Sequence, residues 1–78
     1  MDIKMTDIML HIDEKLDLES QSALESHIRG QQGVIGLGYH SKRPHLMIIE
    51  YNPDQTSDID LLHSVTEQGL HAELVGFL

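Results

Sequence analysis

The sequence predicts an α+β domain with a ferredoxin-like βαββαβ order: a four-stranded antiparallel sheet carrying two helices on one face. Three observations predict it. Short apolar runs in the first and middle parts of the chain carry the two-residue period of a strand or the apolar density of one. Two stretches opened by short oxygen-bearing side chains and closed by glycine carry apolar residues at helical spacing. At 78 residues, the chain has room for one core, so residues 1–78 are read as a single domain.

The elements follow in order. Ile8, Leu10 and Ile12 alternate with Met9 and His11, giving a first strand over Ile8–Ile12. Asp17 or Ser20 caps a helix whose Ala23, Leu24 and Ile28 share a face, and the Gly30–Gly33 stretch stops it. Val34–His40 is a strand weakened by glycine, Ser41-Lys42-Arg43-Pro44 is a polar turn, and His45–Tyr51 is a strongly apolar strand that closes a hairpin. Asn52-Pro53-Asp54 breaks that strand. Ser57 and Asp60 form a capping pattern for a second helix, with Ile59, Leu62 and Val65 recurring on it and Gln68-Gly69 ending it. Ala72–Phe77 is the last strand.

Composition excludes several functions. With no cysteine, disulfides, thiolate catalysis, iron–sulfur clusters and thiolate metal sites are absent. Five basic and thirteen acidic side chains give a net charge of −8, a field that repels phosphate backbones, so no nucleic-acid partner is expected. No apolar run approaches the roughly 18 residues of a membrane span, and Met1-Asp2-Ile3-Lys4 lacks the features of a secretory signal. No membrane insertion and a cytoplasmic location are therefore expected. There is no nucleophile elbow, phosphate loop or framed carboxylate pair, so the domain is read as a non-enzyme.

Leu10-His11-Ile12-Asp13, Gly33-Val34-Ile35, Tyr51-Asn52-Pro53-Asp54 with Ser57 before Leu61-Leu62, and Gln68-Gly69-Leu70-His71-Ala72-Glu73-Leu74 together resemble the heavy-metal-associated domain of small copper chaperones, mercury-binding proteins and metal-pumping ATPases. The resemblance runs from Ile8 to Gly76 and implies the same ferredoxin-like fold. It departs at the functional motif. Counting back from Gly33, the positions of the family's CxxC pair hold Asp17 and Ser20, and the loop before them is Glu14-Lys15-Leu16. A carboxylate and a hydroxyl are hard donors, unsuited to copper(I).

Six histidines are the compositional excess, and imidazole is the commonest ligand of borderline metals. The fold gathers the first strand-to-helix loop, the hairpin and the loop before the last strand at one pole, near Asp13 and Glu14. Asp17, His40, His45 and His71 are thus candidate ligands for Zn, Ni, Co or Cu(II). Strand counting opposes convergence: it sets His45 on the face of Met47 and Ile49, and His40 on the other. Lys42 and Arg43 add repelling charge between them. Asp17 and Ser20 also serve as helix caps, His27 is read as semi-buried with a hydrogen-bond partner, and His63 as solvated.

With Ile8, Leu10, Ile12, Leu37, Tyr39, Met47 and Ile49 turned toward the helices, the other face of the sheet carries Met9, His11, Leu46 and Ile48, beside Gly36, Gly38, Val75 and Phe77. Such an apolar open face marks an interaction surface. The expectation is a binding module that has lost a soft-metal site and contacts a protein partner, or a second copy as a homodimer, through Met9, His11, Leu46 and Ile48. The alternative is binding or transport of a borderline divalent metal.

Overall fold

Period-two patterning at both ends of the chain and in its middle produces one four-stranded antiparallel sheet in the order β2-β3-β1-β4. The computed structural model describes residues 4–77, without the Phe77 side chain; the expected place of that side chain on the open face lies outside the described residues. β1 (Thr6–Ile12) is followed by α1 (Leu18–Arg29), β2 (Val34–His40), β3 (Arg43–Tyr51), α2 (Asp58–Thr66) and β4 (Ala72–Phe77). β1 thus begins two residues earlier than the alternation predicts. β3 also starts at Arg43, which pairs with His40, leaving only Ser41 and Lys42 to turn the hairpin. Pro44 sits inside β3 beside a register shift between Tyr39 and His40, where a missing backbone donor is tolerated.

One face of the sheet and both helices share the core. Ile8, Leu10, Met47, Ile49, Ile28, Leu61 and Val65 are fully buried there, joined by Ile12, Leu24 and Tyr51. Ala23, expected on the buried face of α1, is exposed. On α2 the inward residues are Leu61, Ser64 and Val65, while Ile59 remains 48% exposed and Leu62 only partly covered. Helical geometry explains the difference. At about 100° per residue Val65 lies roughly 40° around the helix from Leu61, whereas Ile59 lies roughly 160° away. Ser64 is tolerated because its hydroxyl donates to the Asp60 carbonyl at 3.1 Å.

Both helices start where a side-chain oxygen takes an unpaired amide. Asp17 accepts from the Ser20 amide at 2.7 Å, so Asp17, not Ser20, caps α1. Ser57 accepts from the Asp60 amide at 3.1 Å at the head of α2. Gly33 has a φ of 92°, and a Cβ there would sit 2.9 Å from Gln55 Cβ. Glycine is therefore required twice over, by backbone conformation and by close approach. Its carbonyl accepts from the Asn52 amide at 2.8 Å, tying the entry of β2 to the exit of β3.

Candidate functional site

At one pole the loop 13–17 between β1 and α1, the hairpin turn and the loop before β4 come together, as the topology requires. Loop and β4 are joined by the Asp13 amide donating to the His71 carbonyl at 2.8 Å. Glu14 extends the junction: its carboxylate accepts the His71 amide at 2.8 Å and the His71 Nδ1–H at 2.7 Å. His45, on β3, donates Nδ1–H to the Ile12 carbonyl at 2.8 Å. Its ring stacks on His11 with centroids 5.9 Å apart, and His11 Nδ1 is 3.1 Å from Asp13 Oδ1. His45 therefore stands at a strand end beside His11 of the open face as well as beside the core-side cavity described below.

The four proposed ligands are not brought together as one group. Asp17 is occupied as a cap. His40 Nδ1 accepts the Lys42 amide at 3.2 Å within its own turn, which leaves the proton of the neutral ring on Nε2. His71 is held by Glu14 and His45 by Ile12. Among the described residues no three His, Asp or Glu side chains converge on a point where a cation could sit.

Electrostatics at the pole centre on Glu14 and His71. Hydrogen bonds from the His71 side chain and amide hold the Glu14 carboxyl below its ordinary value, and the Glu14 carboxylate raises the His71 imidazole above 6.5. Both groups are charged between those two limits. The pair's contribution to stability is lost on the acid side as pH falls through the folded pKa of Glu14, below 4.5. It is lost on the basic side as pH rises through the folded pKa of His71, above 6.5. An NMR titration should give His71 an elevated midpoint that drops toward 6.5 in Glu14→Gln. A midpoint indifferent to that substitution would show that the pairing is absent in solution.

Behind the pole is a cavity of about 160 Å³ lined by Ile12, Glu14, Leu16, Gln21, Tyr39 and His45, among others. The Tyr39 hydroxyl is buried with no hydrogen-bond partner, and burial raises its pKa, with Glu25 adding to the effect. The His27 ring also differs from expectation. Its Nε2 is buried without a hydrogen bond, and the Glu67 carboxylate stands off at 3.9 Å.

The open face carries the four predicted contact residues on adjacent strands. Met9 pairs with Ile48 and His11 with Leu46 across β1 and β3, all four partly covered. Gly38 lies beside Ile48 on β2, and a Cβ there would meet nothing within 4 Å. Sequence reasoning singled out Lys42 and Arg43 but missed the acidic end of this face. Asp7 pairs with Glu50 at one end, bordering a depression of about 240 Å³ with Gly36, Gly38 and Ile48. At the other, Lys42 and Arg43 border one of about 370 Å³ with His11, His45 and Leu46. Extending the alternation two residues before Met9 and two after Ile48 would have found Asp7 and Glu50.

No family model matches the chain, and no curated protein matches it in sequence. Solved structures do share its shape. A copper-binding domain from HMA7, a P-type ATPase, has a TM-score of 0.82 at 12% identity, covering 92% of this chain and 96% of its own. The N-terminal domain of a potential copper-translocating P-type ATPase from Bacillus subtilis, in its Cu(I)-loaded state, has a TM-score of 0.82 at 20% identity, covering 95% and 91%. Oxidized MerP from Ralstonia metallidurans CH34 has a TM-score of 0.79 at 11% identity, covering 92% and 99%. At such identities the likeness establishes the fold. No helix among the described residues is long and apolar enough to cross a membrane.

Proposed function

We propose that this chain, which has the heavy-metal-associated fold and no thiolate, is a cytoplasmic, non-catalytic binding domain that works by protein contact through its open sheet face. The observation that supports it most is the partly covered apolar block of Met9, Leu46 and Ile48 at the centre of that face. Sheets with a solvated face alternate buried apolar with exposed polar residues, and this one departs from that pattern where a partner would sit. The pole supports the reading from the other side: hard donors stand at Asp17 and Ser20, and Asp17 is already spent on the α1 amides.

A photo-activatable amino acid at position 48, compared with one at the exposed Ser22 of α1, tests this in producing cells. Discrete adducts are expected from position 48 and none from position 22. Absence of adducts at both positions would eliminate the contact reading.

A second reading, a borderline divalent ion held by imidazole and carboxylate, is favoured by one observation. His45 donates Nδ1–H to a fixed oxygen, as does His71 in its neutral form, and His11 holds Nδ1 against Asp13, which leaves the Nε2 lone pairs free. Metal-ligating histidines are commonly oriented this way. Titration with zinc or nickel at neutral pH decides the matter. A stoichiometric complex that weakens below about pH 6 would establish the metal reading, and no saturable binding would remove it.

A further inference from the structure

The open face is acidic at one end and mainly basic at the other, where Glu73 of β4 also stands opposite His11. Asp7 and Glu50 stand directly opposite each other on β1 and β3, and like charges at such a cross-strand position cost free energy in an isolated sheet. Neither has a salt-bridge partner among the described residues. At the far end Lys42 and Arg43, two of the five basic residues of the chain, are equally without a carboxylate partner among the described residues. The apolar block of Met9, Leu46 and Ile48 lies between.

This order makes the face complementary to itself. Along β3, Arg43 and Glu50 are at most about 23 Å apart at roughly 3.3 Å per residue, with Leu46 and Ile48 between them. The register shift at the hairpin, where Arg43 pairs with His40, breaks the regular alternation and leaves Arg43 bordering the open-face depression with His11 and Leu46. A two-fold axis lying between two such faces and running across the strands reverses strand direction. It sets β3 over β3 with each Glu50 above the other copy's Arg43, and packs the apolar block on itself. An axis along the strands would instead set like charge on like. Two chains of net charge −8 repel at long range, but a screening length of about 8 Å at physiological salt confines that repulsion, while contacting pairs are screened far less.

Resting on the contact reading above, we propose that the partner is a second copy of this chain, in a two-fold sheet-to-sheet dimer with Arg43 of each copy against Glu50 of the other. Such an interface is isologous, so each charge pair occurs twice.

Sedimentation equilibrium at about 0.15 M salt tests it. The parent should be a dimer, and Ile48→Asp a folded monomer. Glu50→Arg alone and Arg43→Glu alone should each weaken association on the order of 100-fold, because each sets two like-charge contacts in the interface. Mixing those two variants in equal amounts should restore the dimer, as at positions 43 and 50 one chain then carries only cations and the other only anions. The mixing arm leaves the apolar block untouched, so it holds even if Ile48→Asp fails to fold. A parent that stays monomeric at its highest soluble concentration, or charge variants that associate as the parent does, would overturn the dimer. The cross-linking result separates the two failures. Adducts at twice the 8.8 kDa chain mass support self-association. Adducts of other masses with a monomeric parent sink the dimer but keep the contact reading, and no adduct sinks both.

Discussion

Leu61→Ala should lower the free energy of unfolding by about 2–5 kcal/mol, whereas Ile59→Ala on the same helix should stay within about 0.5 kcal/mol of the parent. Leu61 is fully buried between α2 and the sheet, and Ile59 is half exposed on the far side of the same helix. The first change removes a methine and two methyl carbons from a packed site and leaves a void; the second removes atoms that already touch water. The consequence is large in a chain of this size. At roughly 0.05–0.15 kcal/mol per residue, its total stability is on the order of 4–12 kcal/mol, so Leu61→Ala would bring the folded state close to its limit. Urea unfolding followed by circular dichroism measures both. Equal losses would show that α2 presents a different face to the sheet.

Replacing Asp17 and Ser20 together with cysteine should create a stoichiometric copper(I) complex where the parent forms none. The two positions open α1 at the pole, and the Asp17 carboxylate now spans them by accepting the Ser20 amide at 2.7 Å. Two sulfurs there would be soft ligands, and the helix N-terminus favours their ionised form. Losing the carboxylate cap costs about 1 kcal/mol, so the double variant should melt lower without metal and recover with it. Asp17→Cys alone should bind far more weakly, having one thiolate instead of two. Competition against a copper(I) chelator of known affinity is the measurement. A folded double variant that captures no copper(I) would show that this pole has lost the geometry as well as the ligands.

Element order, helix positions and the division of the sheet into two faces were legible in the sequence, because Ile8, Leu10 and Ile12, and Met47, Ile49 and Tyr51, recur at every second position of their strands. The helix faces were less so. Ile59, Leu62 and Val65 drift around α2, and the burial of Leu61 with Ser64 depends on where the helix lies over the sheet, a tertiary choice. At the pole, the sequence placed Asp13, Glu14, His45 and His71 in one neighbourhood but not in their pairings. The hydrogen bonds from His71 to Glu14 and from His45 to Ile12 join residues 57 and 33 positions apart, and no local pattern records such distances. His27 shows the same limit: periodicity put it on the inner side of α1, yet only packing could reveal that its ring nitrogen is covered without a partner.

The pairing of Ile8 with Phe77 sets the first and last strands side by side with their outer ends together. Pulled from those two ends, the chain would load the β1–β4 bonds one rung at a time rather than all at once. The sheet would peel like a zip, at low force, beginning far from the Glu14–His71 pole and reaching that pole last.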